Sequence, residues 1–418
     1  MNSETQLAIH GGQPIRDKYL PYGQQWLSDE DIAAVVRILE SPMITQGKTI
    51  DTFEQAVADY VGAKYAVAFC NGTAALHGAC YAAGIGDGDE VLVPPITFVA
   101  SANAVLYAGG KPVFVDIDEQ TYNINPELLE NAITPCTKAI IAVDFTGQPV
   151  DMRRIREIAD RYNLIVIQDS AHSLGAYYDA KYISNGENNR ELYHNENSGI
   201  RMVGTTADMT MFSFHPVKHI TTGEGGMIVT DSKELADALR MFRSHGITSD
   251  RNLMTKDDGA WYYEMLAPGY NYRMTDIQAA LGVSQMERLP LFVDRRTEYA
   301  SIYNEAFKDV EGVITPYQIQ GVHSSWHLYV IRLELEKFSA TRRQIFDALR
   351  AENIGVHVHY IPVHLQPYYQ QLGYRKGLCP VAETCYEEFL TLPLYPKMTV
   401  DDINDVIRGV RKVLSEFI

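Results

Sequence analysis

The sequence predicts an α/β protein: a mainly parallel sheet with helices on both faces, followed by a smaller C-terminal α+β domain. Three observations carry this. Apolar runs of four to six residues alternate with helical patterns through the first two-thirds of the chain, and continuous apolar strands of that length belong to sheets buried on both faces. From Leu289 the pattern changes to a long helix and then a mixed strand-and-helix tail. At 418 residues there is enough chain for one large domain and one small one. The expected organisation is an N-terminal arm over 1–25, a large domain over 26–285 and a small domain over 286–418.

The elements follow in order. Ser28-Asp29-Glu30-Asp31 opens a helix with capping chemistry, and Ile32, Val35, Val36 and Leu39 supply its apolar face. Ala66–Phe69 reads as a strand that breaks at Asn71-Gly72-Thr73 into an alanine-rich helix over Ala74–Ala83. Glu90–Pro95 is a strand closed by prolines, with a helix over Phe98–Leu106 behind it. Pro112–Asp116 and Ala139–Asp144 continue the alternation, and helix Met152–Tyr162 leads into the strand Leu164–Asp169. The stretch Asp179–Arg201 is rich in Asn, Glu and Tyr without a consistent period. It reads as an exposed insertion loop, with a substrate-covering loop as the alternative. Downstream come a strand over Leu328–Leu333, a helix over Arg342–Glu352 and a terminal helix from Val400.

Composition excludes several function classes. A net charge of −17 lacks the basic stripe that neutralises phosphates, so a nucleic-acid binder is not expected. No apolar run approaches a membrane span, and Met1–Gly12 lacks the architecture of a secretion signal. The five cysteines are scattered without a C-x-x-C pair and read as reduced, buried thiols of a cytoplasmic protein. His172 and His194 match no metal spacing, so no metal is expected.

The chemistry gathers at strand ends, where open parallel sheets place their ligands. Lys218 follows the short apolar strand around Phe212-Ser213-Phe214 and precedes the turn Gly223-Glu224-Gly225-Gly226. An amine there is poorly placed as a solvated charge and well placed to attack a carbonyl. Asp169 ends the run Leu164-Ile165-Val166-Ile167-Gln168. Together they could hold the two ends of pyridoxal phosphate (PLP), the lysine bonding its aldehyde carbon and the carboxylate keeping its ring nitrogen protonated. Taken alone, Asp169 could equally cap the next helix. Gly72-Thr73-Ala74 at a helix start, with Ser213, could cradle the phosphate, although a strand-to-helix turn of this kind more often holds no ligand. The glycines at 223–226 lack the Lys-Ser/Thr of a P-loop and fit better as a tight backbone passage beside the lysine.

Read together, these segments resemble the DegT/DnrJ/EryC1/StrS sugar aminotransferases, PLP enzymes of fold type I with a seven-stranded-type sheet. The resemblance runs from about Leu20 onward. It rests on Ile44-Thr45-Gln46-Gly47, Asn71–Leu76, Pro95–Ala100, Gln168–Gly175, Ser213–Gly226, Gly269–Met274 and Val358-His359-Tyr360. It implies that Lys218 and Asp169 are catalytic. It implies a cofactor set of Gly72, Thr73, Ala74, Phe98, Asp169, His172, Ser213, Lys218 and Asn271. Phe98 would stack on the ring, His172 would meet its phenolic oxygen, and Asn271 would reach the phosphate from the neighbouring subunit of a homodimer with a shared site. Phe98 as plain core and His172 as a satisfied buried histidine are the alternatives for those positions. His327, His359 and Tyr360 are the expected substrate contacts.

Some relatives carry histidine in place of the lysine and dehydrate a sugar instead. Ser213 and Gly223, five positions either side, set the register on Lys218 rather than His219. The 49 residues from Asp169 to Lys218 (218 − 169) exceed the usual spacing of the group, and the excess falls on the insertion. Gln46-Gly47, Arg243–Ile247 and Val358–Pro362 are most similar to the members that aminate C4 of UDP-linked 4-keto-6-deoxy-N-acetylhexosamines on the pseudaminic acid route. The implied substrates are the nucleotide sugar and L-glutamate, and the implied product is UDP-4-amino-4,6-dideoxy-N-acetyl-β-L-altrosamine. Enzymes of the 4-amino-4-deoxyarabinose or perosamine type, or a non-catalytic PLP-fold subunit, are the other readings.

Overall fold

The computed structural model describes residues 6–183 and 199–418. Among them the central sheet has seven strands. In spatial order these are Tyr65–Phe69, Gly226–Thr230, Met209–Ser213, Ile165–Asp169, Thr137–Val143, Glu90–Val93 and Lys111–Phe114. Pairing is parallel from Met209–Ser213 through to Lys111–Phe114. Gly226–Thr230 runs against both of its neighbours. The other six strands therefore point one way, and their carboxyl ends open on a common rim. Register places Val143 beside Asp169 and Asp169 beside Met211.

Alternate residues feed two cores, one on each face. Ile141, Val67 and Phe69 point into one, and Ile140, Ala66 and Ala68 into the other. That period of two, with both sides apolar, is why the strands read as continuous apolar runs. The expected helices form with boundaries moved by two residues or fewer: Gly72–Ala82, Ala100–Tyr107, Met152–Tyr162, Arg342–Ala351 and Val400–Phe417.

Three expectations are modified. Helix Asp29–Leu39 has its capping box from Ser28 and Asp31. Its apolar face, however, does not pack: Ile32, Val36 and Leu39 are exposed. Asp31 and Ala34 are buried instead, Asp31 accepting hydrogen bonds from Ser284 Oγ, Gln285 Nε2 and Arg288 Nη1. The insertion is not a loop at its ends. Tyr177–Asp179 pairs antiparallel with Ile200–Met202 and with Val322–His323, anchored by buried Tyr178, whose hydroxyl donates to Val150 O. Its central residues 184–198, with His194, lie outside the described residues. The thiols are free, but Cys136 is exposed and Cys70 only partly covered, because Cys136 lies in the turn before the strand Thr137–Val143.

The N-terminal segment is docked on the small domain. Leu7 and Leu20 enter a third core with Tyr303, Ile331, Leu392 and Val410. That core is built on an antiparallel sheet of Val313–Ile314, Tyr329–Leu333 and Phe389–Leu392, with helix Leu289–Phe307 against it. Buried Glu352 accepts from Ala8 N and Ile15 N at 2.9 Å each and pairs with Lys412. Among the described residues, no helix is long and apolar enough to cross a membrane.

Candidate active site

The strand ends converge on a cavity of about 930 Å³. Asp169 closes its floor from the end of its strand. Burial pushes the carboxyl above the usual range, while Ser101, the backbone N–H of Ala171 and the charge of Lys218 pull the other way. Ser101 Oγ donates to Asp169 Oδ2 at 2.6 Å, and Ala171 N to Oδ1 at 3.2 Å.

Lys218 stands five residues past Ser213 in a turn closed by Lys218 N donating to His215 O and Thr222 N to Phe214 O. The glycines beyond it do make a tight passage, but against the turn at Asn71 rather than beside the lysine. A Cβ on Gly226 would lie 2.5 Å from Asn71 O, so only glycine lets this strand pass the turn at Asn71. Lys218 Nζ lies 3.4 Å from His327 Nε2. Burial lowers the lysine to about 8, against the pull of Asp169 and helped by the charge of Arg296.

On the opposite wall, helix Gly72–Ala82 begins at Asn71, whose side chain accepts from Ala74 N. A Cβ on Gly72 would come within 3.3 Å of Ser213 Cβ and Oγ, so the helix start and the strand end are in close contact. Gly72, Thr73, Ala74 and Ser213 thus form one polar corner of the cavity, at the positive end of the helix.

The remaining wall is rich in histidine. His172 Nε2 meets the Tyr360 hydroxyl at 3.3 Å, and its ring lies 4.3 Å from that of His327. His359 Nδ1 meets Thr391 Oγ1 at 2.9 Å. Burial holds His172, His327 and His359 below the ordinary histidine range, and neighbouring Lys218 adds to it. These rings are neutral at pH 7. His172 Nδ1 and His327 Nδ1 are buried without a partner among the described residues. His219, the alternative in the register question, faces away: its Nε2 meets Ser325 O at 2.9 Å.

Eleven of the twelve predicted site residues line this one cavity: Gly72, Thr73, Ala74, Phe98, Asp169, His172, Ser213, Lys218, His327, His359 and Tyr360. Phe98 is 58 % exposed, so it is not plain core. Asn271 is exposed and lies outside the cavity lining, bridged to Ser244. Arg243, one of the residues suggesting the sugar, is tied to Glu54 Oε1 and Ala68 O. Sequence reasoning missed Tyr22, His77, Tyr107, Tyr272 and His357, which also line the cavity. Their contacts join segments far apart in the chain: Tyr22 with His357 and His359, and His77 with Tyr107 and Tyr272.

A buried amine of lowered proton affinity, a buried carboxylate and an anion corner make one constellation. The sequence carrying it matches the DegT/DnrJ/EryC1/StrS aminotransferase family over residues 25–411. The chain belongs to that family.

Among its relatives, the spore coat polysaccharide biosynthesis protein SpsC of Bacillus subtilis is 42% identical over 402 residues, covering 96% of this chain and 98% of SpsC. Two solved structures are similar to this one. Helicobacter pylori PseC, an aminotransferase involved in the biosynthesis of pseudoaminic acid, is 32% identical with a TM-score of 0.84, covering 96% of this chain and 100% of PseC. The PLP-form of the putative sugar aminotransferase Spr1654 from Streptococcus pneumoniae is 29% identical with a TM-score of 0.85, covering 95% and 99%. In this aminotransferase family the fold reading, a large mostly parallel sheet flanked by helices, holds for the chain.

Proposed function

We propose that the protein is a PLP-dependent nucleotide-sugar aminotransferase. Its amino donor is L-glutamate, and its acceptor is a UDP-linked 4-keto-6-deoxy-N-acetylhexosamine. The product is UDP-4-amino-4,6-dideoxy-N-acetyl-β-L-altrosamine. The observation that carries the reading is Lys218, an amine lowered to about 8 in the same cavity as buried Asp169. The similarity to PseC favours this sugar over the 4-amino-4-deoxyarabinose and perosamine types.

The residues present fit PLP. The corner of Gly72, Thr73, Ala74 and Ser213 suits a phosphate, Asp169 a protonated ring nitrogen, and Phe98 a ring face. The unpartnered nitrogens of His172 and His327 are polar atoms for which a bound group would supply contacts. When bound, PLP supplies an electron sink for the carbanion formed at the substrate carbon.

The chain does the rest. Lys218, uncharged at pH values above about 8, takes the α-proton of the amino donor and delivers it again on the other side of the exchange. Asp169 holds negative charge at the cavity floor. His172, bonded to Tyr360, would meet the cofactor's phenolic oxygen, and Tyr360 would contact the sugar. His327 and His359, both neutral, act as hydrogen-bonding contacts for the sugar. Asn271 completes the partner's site in a homodimer. The exposed apolar residues Ile32, Val36, Leu39, Trp261 and Met265 on this single chain support such an interface. The enzyme works in the cytoplasm.

The test is incubation with glutamate and a panel of nucleotide 4-keto-sugars. Amination of the UDP-N-acetylhexosamine is expected. Amination of GDP-sugars alone, or of the pentose alone, would remove this substrate assignment. Lys218→Ala should lose the visible absorption band of bound PLP and roughly 10²–10⁴-fold in rate. A colourless protein that fails to take up added PLP would sink the enzyme reading.

A further inference from the structure

Behind the histidine wall lies a buried cation that has no carboxylate partner among the described residues. Arg296, on helix Leu289–Phe307, is 1% exposed. Its Nη1 donates to three backbone carbonyls, Leu394 at 2.9 Å, His327 at 3.1 Å and Trp326 at 3.2 Å. Its Nε has no acceptor among the described residues. A buried arginine is normally paired with an anion, and such pairs are used for geometry as much as for energy. Here, among the described residues, backbone dipoles hold the charge.

The backbone it holds is under constraint. Trp326 has φ 52, a left-handed conformation that bulky residues rarely adopt. The turn is pressed against Gly147, where a Cβ would lie 2.8 Å from His327 N and 2.9 Å from Trp326 N. The next side chain, His327, is the one whose Nε2 lies 3.4 Å from Lys218 Nζ.

We propose that Arg296 is a positioning residue that sets the His327–Lys218 pair from behind, by clamping the carbonyls of the turn and by standing beneath the pair as an uncompensated positive charge. The inference rests on the reading of Lys218 as the reacting amine. The groups that act on or sense the charge of Lys218 are Asp169, His172, His215, His219, His327 and His359. Asp169 alone favours the ammonium form, and burial opposes it. The charge of Arg296 adds to burial at Lys218, and likewise at His219 and His327. Burial brings Arg296 itself down to about 9, so it remains charged at neutral pH. The amine thus faces a neutral histidine and a fixed positive field, which favour its free-base form.

The experiment reads proton affinity directly. The full-length chain without cofactor is labelled with acetic anhydride across a pH series, and acylation of the Lys218 peptide is followed by mass spectrometry. The wild-type midpoint is expected at about 8. Arg296→Met should move it up by about one pH unit, the scale on which a nearby like charge acts. Arg296→Lys loses the planar fork, and a lysine buried there gives up its proton more readily than the arginine, so its midpoint should fall between those of wild type and Arg296→Met. In the loaded enzyme its rate with glutamate should fall about tenfold, because His327 is no longer held. A folded Arg296→Met protein with the wild-type midpoint would overturn the proposal. A wild-type midpoint in the ordinary lysine range would overturn it even if that variant does not fold, and full activity in Arg296→Lys would overturn the clamp. Labelling is independent of turnover. A correct midpoint without transamination therefore rejects the proposed function alone, and transamination with an ordinary midpoint rejects the role of Arg296 alone.

Discussion

Ser101 Oγ donates a 2.6 Å hydrogen bond to Asp169 Oδ2, and both groups are buried. Thr97 Oγ1 lies 2.7 Å from the same serine oxygen, so the carboxylate ends a chain of hydroxyls. The bond favours the ionised acid and opposes burial, which pushes the proton affinity of Asp169 up. Ser101→Ala should raise that affinity further and weaken PLP binding about tenfold, the cost of leaving a buried acceptor short of one donor. Ser101→Thr should restore it. Equilibrium dialysis against PLP measures both, and unchanged retention in the alanine variant would show that the hydroxyl does not support the carboxylate.

A second buried carboxylate organises the turn that carries His172. Asp144 accepts from Ser170 Oγ at 2.7 Å and Ser173 Oγ at 2.5 Å, and also from Gln168 Nε2 and Val150 N. Burial raises it to about 6, from 3.8, in spite of these donors. A folded value above the unfolded one means the native state binds more protons between about pH 4 and 6. The group's contribution to stability is then full below that window and lost as pH rises through it. Asp144→Asn does not titrate. The stability difference, variant minus wild type, should therefore climb across that window, by about 1.4 kcal/mol for each pH unit it spans, and level off above it. Urea unfolding at a series of pH values tests this, and a flat difference curve would be fatal to it.

Much of this site was legible because strand-end chemistry survives in local patterns. Asp169 and Lys218 each follow an apolar run, and the glycines at 223–226 mark a close backbone passage. What was not legible depends on long-range packing. Arg296 reads in sequence as one of two adjacent arginines on a helix, and only the turn at Trp326, thirty residues on, makes it a buried clamp. The strand Gly226–Thr230 was hidden because its glycine start read as a turn, while its pairing with Tyr65–Phe69 spans most of the large sheet's sequence. The outward face of helix Asp29–Leu39 misled for another reason. Apolar periodicity reports a buried face without saying whether its own chain buries it.

The docked N-terminal segment gives a stability prediction. Glu352 is fully buried and receives Ala8 N, Ile15 N and Lys412 Nζ. Glu352→Ala leaves Lys412 Nζ with Gln13 O but strips Ala8 N and Ile15 N of their acceptor, a loss of about 1–3 kcal/mol for each N–H left short. Trypsin should then cut at Arg16 or Lys18 well before it attacks the rest of the chain. Equal cleavage rates in variant and wild type would show that Glu352 does not hold the segment down.

Asn271 is exposed and outside the cavity of its own chain, and the proposed role requires it to serve a partner. Lys218→Ala and Asn271→Ala should each be inactive, or nearly so, as homodimers. In a mixed dimer the two lesions fall in the same site, and the other site has an intact Lys218 from one subunit and an intact Asn271 from its partner. Mixing the two variants after mild denaturation and refolding should therefore restore roughly a quarter of wild-type activity, because half the dimers are mixed and each has one working site. A site completed within one chain cannot behave this way: each variant would keep its own lesion in every assembly. Absence of recovery, in a mixture shown by mass to contain mixed dimers, would place the role of Asn271 within its own subunit or remove it.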